Sequence, residues 1–307
     1  MKKITILFIM ASVLLLLSGC KYDNDWLTPD VKSMIFFGSA LDYERTVIPG
    51  EGLQFGIGPA LAGVLANKKD WTVDLKILKD LSILPDNRML LPDNYYNSSE
   101  LGGNIRVTIP KGKYFDFFYV KLDSAQFLSD ANTMTGSSKL YALPVKIVGT
   151  SADTINTARD QVLIGVKYQA ATEGWYLHET SINSETGTTN EKSFAEADNV
   201  CWRMTTRGPF TVRVASPITS TATAGLQFDI TVQGTTVVFG AQVDDQPLVE
   251  PISGQANSYD PATRDFQLNF QYVNPDDNDR VYKVSTKLTF RNRVVDGINQ
   301  PRAHLVY

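Results

Sequence analysis

The sequence predicts an all-β protein of two modules, an immunoglobulin-like β-sandwich followed by an up-and-down antiparallel barrel or a second sandwich. Three observations carry this expectation. Apolar and polar residues alternate with a period of two in several runs, turn residues punctuate those runs, and no long segment shows a helical period.

The first element is not part of the fold. Lys2 and Lys3 precede an uncharged apolar stretch, Ile4 to Leu17, and then Leu17-Ser18-Gly19-Cys20. This is the layout of a secretory signal peptide. The stretch is about 14 residues, short of the roughly 20 that cross a bilayer as a helix. The expectation is a signal peptide over 1–19, cleavage before Cys20, acylation of the Cys20 thiol, and a lipidated tether over 20–30. Each buried acyl methylene adds about 0.8 kcal/mol, so several chains anchor a protein without a spanning helix.

A sandwich is expected over 31–168. Trp71, Val73, Leu75 and Ile77 alternate with Thr72, Asp74 and Lys76, and Ile105, Val107 and Ile109 with Arg106 and Thr108. A barrel-like module is expected over 169–307. There Leu226, Phe228, Ile230 and Val232 alternate with Gln227, Asp229 and Thr231, and Phe266, Leu268, Phe270 and Tyr272 with Gln267, Asn269 and Gln271. Such strands bury one face and wet the other, the habit of antiparallel sheets. Pro49-Gly50-Glu51-Gly52, Pro110-Lys111-Gly112 and Gln233-Gly234-Thr235 read as turns. The polar run Asn274–Asp279 reads as a hairpin loop between Phe266–Val273 and Val281–Arg291. A short helix is expected near Ser124–Ala131, and Gln169–Gly174 reads as a linker.

Composition narrows the function. The chain has 307 residues, of which 288 remain counting from Cys20, and 43% are apolar, enough for two cores. Loss of Lys2 and Lys3 lowers the basic count from 29 to 27 against 33 acidic residues, a net charge of −6. An acidic chain argues against nucleic acid as a partner. With Cys20 taken by lipid, Cys201 has no partner for an intramolecular disulfide, and its apolar setting reads as a buried, inert thiol.

No catalytic or metal constellation emerges. His178 and His304 are far apart without flanking cysteines, and no phosphate loop, Gly-x-Ser-x-Gly elbow or dinucleotide motif is present. The run Asp276-Asp277-Asn278-Asp279 lacks the glycine and distal glutamate of an EF-hand. No cofactor or metal is expected. Aromatic residues are the best handle, because sugar C–H faces stack on rings while amides and carboxylates take the hydroxyls. The candidates are Trp175, Tyr176, Trp202, Tyr259 and the loop pair Tyr95 and Tyr96, each of which could instead be core.

Several segments resemble a family of Bacteroidetes surface lipoproteins of polysaccharide-utilisation loci. They are Ile83-Leu84-Pro85, Leu91-Pro92-Asp93-Asn94-Tyr95-Tyr96, Ile105–Gly112, the aromatic stretch Tyr114–Leu122 and Tyr141–Ile147. This region, about 30–168, is similar to an N-terminal β-sandwich domain of unknown function that also precedes some Bacteroides endo-β-N-acetylglucosaminidases. The C-terminal half, opening at Gly174-Trp175-Tyr176, resembles the partner module of these proteins and implies a lipocalin-like barrel. Lys21-Tyr22-Asp23-Asn24-Asp25 looks like the charged tag that routes such lipoproteins to the cell exterior, and Asp123-Ser124-Ala125 and Asp153-Thr154-Ile155 resemble the O-glycosylation signal of these bacteria. Of the two, Thr154 is expected in an open turn and Ser124 partly covered.

The resulting expectation is a non-catalytic protein, lipid-anchored at the outer membrane and facing the exterior. It binds an oligo- or polysaccharide, alongside an outer-membrane transporter or glycoside hydrolase. Two other classes stay open: a structural or adhesive subunit pairing with protein partners, and a glycoside hydrolase with an unrecognised carboxylate pair.

Overall fold

The computed structural model describes residues 32–39, 41–192, 201–219 and 225–302. The fold is all-β, with a sandwich followed by a sheet that curls into a barrel. The sandwich strands are β1 (Met34–Phe37), β2 (Asp42–Val47), β3 (Gln54–Ile57), β4 (Pro59–Ala62), β5 (Trp71–Ile77), β6 (Arg88–Leu90), β7 (Ile105–Ile109), β8 (Phe118–Lys121), β9 (Leu140–Thr150), β10 (Thr154–Ile155) and β11 (Gln161–Tyr168). One sheet runs β2-β11-β9-β5-β7, with β6 beside β9. It packs on the smaller sheets β10-β1-β4 and β3-β8 through a core that includes Ile35, Phe37, Ile57, Val73, Leu75, Val120 and Ile164.

The alternating runs fold as their pattern requires. Trp71, Val73 and Leu75 are buried and face the core, while Arg106 on β7 sits outside and pairs with Asp74 of β5. Not every pair is antiparallel, however. β2 runs parallel to β11, β6 to β9 and β10 to β1. Each of these pairs includes a strand without clean alternation, namely β2, β6 or β10, so the period-two argument never applied to it. The expected helix shortens to one turn at Ser124–Phe127, capped by Asp123, whose Oδ1 accepts the Gln126 N–H at 2.9 Å. Asp130 then opens a separate 3₁₀ turn, Ala131–Thr133.

The second unit contains β12 (Gly174–Ser184), β13 (Gly187–Lys192), β14 (Trp202–Thr206), β15 (Thr211–Thr219), β16 (Gly225–Gln233), β17 (Thr236–Phe239), β18 (Val249–Pro251), β19 (Ser258–Tyr259), β20 (Phe266–Asn274), β21 (Arg280–Val295) and β22 (Ile298–Pro301). Its pairings are antiparallel. The path β12-β14-β15-β16-β17-β19-β20-β21 returns to β12 and closes. A ring of eight strands has an interior that side chains can fill. Here they do: Tyr176, Trp202, Met204, Phe228, Phe270, Val284 and Leu288 are buried in one cluster. A polar island interrupts it, where the Thr180 hydroxyl lies 2.7 Å from both His178 Nδ1 and the Thr286 hydroxyl.

The expected linker is not an exposed tether. Gln169, Ala170 and Thr172 are buried, the Gln169 N–H donates to Val47 O at 3.0 Å, and the Ala170 N–H to Thr206 Oγ1 at 2.9 Å. The two units also share charges. Both carboxylate oxygens of Glu51 accept from Arg293, at 3.0 and 2.6 Å, and Arg264 donates to the same carboxylate. Asp296 caps the Thr46 N–H at 3.0 Å and accepts from its hydroxyl at 2.7 Å. Burial alone would push the Glu51 carboxyl up. The hydrogen bonds and charges of Arg293 and Arg264 outweigh it and hold the carboxyl below its ordinary value.

Candidate functional site: an exposed aromatic strip

The segment Tyr114-Phe115-Asp116-Phe117-Phe118-Tyr119 leads into and through β8. An extended backbone sends alternate side chains to opposite faces. Phe118 and Val120 therefore turn inward, and Phe115, Phe117 and Tyr119 turn outward at 56%, 43% and 53% exposure. Adjacent ring centroids lie 5.6 Å apart for Phe115 and Phe117 and 6.5 Å apart for Phe117 and Tyr119. The rings are mutually tilted, by 67° and 46°, so they form a stepped strip and not a flat plate.

The neighbouring strand makes room for them. β3 pairs with β8 with Gly56 opposite Tyr119. A Cβ on Gly56 would sit 3.3 Å from both the Phe117 and the Tyr119 rings, and one on Gly58 would meet Phe117 Cδ1 at 2.7 Å. The rings thus lie over glycine backbone, as aromatic side chains do when they cover strand glycines. Three contiguous exposed rings make an apolar patch, the kind of feature from which interaction surfaces are built. They supply apolar faces, and exposed Lys113 and Lys121 flank the strip.

The aromatic residues singled out by sequence fare differently. Tyr176 and Trp202 are fully buried inside the barrel. Tyr176 packs between Phe266 and Phe290, and its hydroxyl donates to Thr172 O at 2.8 Å. Trp202 lies edge-on to Phe228 and Phe270, at 6.3 Å from each. Tyr259 is buried against Phe266 at 4.7 Å, and Tyr96 is buried with its hydroxyl donating to Asp93 at 2.9 Å. Tyr95 is half-buried and donates to Asp130 at 3.0 Å. As exposed stacking platforms these five residues are corrected: period two, or the packing of the 93–96 turn, directs their rings into protein. Trp175, on the outer face of β12, stays half-exposed with the Arg203 guanidinium 5.2 Å above its ring, and lines a shallow depression with Cys201, Pro217 and Gln227.

The two hydroxyl sites exchange places. Ser124 is exposed at the start of its helical turn, whereas Thr154 is half-buried in β10, paired in parallel with Met34. Asp153, expected in an open turn, accepts from the Ser33 N–H at 2.9 Å, which draws the segment into the sheet. Cys20 lies outside the described residues, and so does His304. Cys201 is a buried free thiol. Among the described residues no cluster of His, Cys, Asp or Glu is arranged to hold a metal, and no helix is long and apolar enough to cross a membrane.

The strip itself was missed by sequence reasoning, although a signal existed. Five of the six residues from Tyr114 to Tyr119 are aromatic, more than the inward face of one short strand can take.

Comparisons with known proteins place the fold. A family model described as an N-terminal domain matches residues 38–154, within the sandwich. No curated protein matches the sequence. A crystal structure of a protein of unknown function from Bacteroides ovatus is 14% identical, covering 88% of this chain and 98% of that one at a TM-score of 0.59. An auxiliary nutrient binding protein from Bacteroides thetaiotaomicron is 11% identical, covering 84% of this chain and 93% of that one, at a TM-score of 0.38. The first of these similarities extends the two-unit all-β architecture to a Bacteroides protein across nearly its whole length, and it concerns the fold alone.

Proposed function

We propose that this chain is a non-catalytic, lipid-anchored surface protein that binds a glycan along the Phe115–Phe117–Tyr119 strip and holds it for a neighbouring transporter or hydrolase. The exposed strip over glycine backbone is the observation that carries the reading. Ring separations of 5.6 and 6.5 Å suit successive sugars of an extended chain, each offering a C–H face. The filled barrel interior supports binding on the outside, since the lipocalin-like resemblance would otherwise direct attention inward.

Affinity electrophoresis against a panel of plant and host polysaccharides tests this. At least one glycan should retard the wild-type protein. Phe117→Ala should weaken that retention about tenfold, equivalent to about 1.4 kcal/mol. Gly58→Val should weaken it too with every ring still present, because the new side chain meets both the Phe117 ring and the Asp116 carbonyl and shifts the strip. Absence of retention across the panel, together with capture of a protein partner, would favour the adhesive class instead.

The anchor has its own test. Cys20→Ala should leave the precursor unprocessed or release the protein from membranes, as followed by fractionation and intact mass. Normal processing and unchanged fractionation would reject lipidation.

A further inference from the structure

A second concavity lies where the two units meet, walled in part by the turn between β2 and β3. Pro49 and Glu51 from the β2–β3 turn form one wall, and Phe210, Tyr259 and Arg264 from the second unit form the other, with Thr172 between them. The space is about 360 Å³, at the small end of ligand pockets, which favour such interfaces. We propose that this cleft is a binding site for a neutral saccharide of one or two rings, separate from the aromatic strip and independent of it.

Four observations support that chemistry. First, Phe210 at the β14–β15 turn is 58% exposed and offers a ring to an apolar face, beside Pro209 and Pro261 on the same lining. Second, the cations are already matched. Arg264 donates to Glu51 and to Ala171 O, and Arg293 to Glu51 and Gln300. A ligand anion would have to compete with the Glu51 carboxylate for both. Third, hydroxyl-binding capacity remains. Glu51 accepts three charged hydrogen bonds of about four that a carboxylate can take. Its side chain is 36% exposed. Thr172 lines the cleft, and its buried hydroxyl makes no hydrogen bond among the described residues. A purely apolar ligand would leave the remaining Glu51 lone pair unmatched. Fourth, Arg264 is held in the left-handed backbone region at a φ of 63°, which non-glycine residues seldom occupy and which gathers at ligand sites.

Titration calorimetry on the mature chain, with glucose, galactose, mannose, N-acetylglucosamine, cellobiose and lactose as probes and glucuronate and sulfate as anionic comparisons, tests the site. At least one neutral sugar should bind, and Phe210→Ala should weaken it about tenfold. Phe117→Ala should leave that affinity unchanged while weakening polysaccharide retention, so that failure of the cleft and failure of the strip are told apart. Phe210→Leu, which keeps an apolar side chain without the flat ring, should fall between wild type and alanine if the alanine variant folds poorly. The proposal is overturned if no neutral sugar binds, if glucuronate binds more tightly than glucose, or if sugar affinity follows Phe117 and ignores Phe210.

Discussion

Replacing Glu51 with alanine should lower the unfolding free energy by about 2–4 kcal/mol. Arg293 is 2% exposed and Arg264 8%, and both donate to Glu51. Removing one member of a buried ion pair strands the other charge, at a cost of about 3–5 kcal/mol. Glu51 is itself 36% exposed, so solvent screening lowers that figure. The same carboxylate predicts a pH dependence. Its folded value lies below the unfolded value of about 4.3. Its contribution is thus complete above that pH and disappears as pH falls through the folded value. Urea unfolding at neutral pH and near pH 3 measures both effects. The difference between wild type and variant should be large at neutral pH and shrink in acid. A constant difference would mean that Glu51 contributes by packing, and no difference would remove it from the junction.

Trp202→Ala should destabilise the second unit by about 3–5 kcal/mol, the cost of emptying a large buried aromatic site. The ring is fully buried among Phe228, Phe270 and His178. Its Nε1–H has no hydrogen-bond partner among the described residues. Trp202→Phe therefore loses packing but also relieves an unmatched donor, and should cost far less than alanine. Denaturant titration of both variants checks the ordering. Glycan retention by the folded phenylalanine variant should equal that of wild type. Its loss with the fold intact would make the indole a ligand contact after all.

These outcomes depend on which face of a strand a residue occupies, and that is what the sequence conveys best. The runs at Trp71–Ile77, Ile105–Ile109, Leu226–Val232 and Phe266–Tyr272 all became strands with the expected inward faces. Part of the second unit's order follows from sequence, since short connections join β14 to β15, β16 to β17, β20 to β21 and β21 to β22, whereas β12 meets β14 past β13 and β17 meets β19 past β18. Parallel partners such as β2 and β11 were not legible, because more than a hundred residues separate them and β2 has no alternation. The site was harder still. Phase within a strand decides whether Trp175 or Tyr176 looks outward, and phase is set by the core on the far side of the sheet. Likewise Phe115, Phe117 and Tyr119 are aromatic in sequence, but that they rest on Gly56 and Gly58 depends on pairing with a strand sixty residues earlier.

The barrel closes unevenly. β20 and β21 pair along the whole of Phe266–Asn274, whereas β17 and β19 share the single register pair Thr236 and Ser258. Two flanking amide bonds complete that seam, Val237 N–H to Asn257 O at 3.2 Å and Tyr259 N–H to Thr235 O at 2.8 Å. Breaking them opens the ring without disturbing the long hairpin beside it. The Val237 and Tyr259 amides will accordingly exchange with solvent by a local fluctuation far cheaper than global unfolding, while β17 stays paired with β16. Each opening bares two short strand edges whose N–H and C=O groups are free to pair with another chain. At high protein concentration the seam is where one molecule's strand would first substitute for another's, and where stiffening the chain would suppress such exchange.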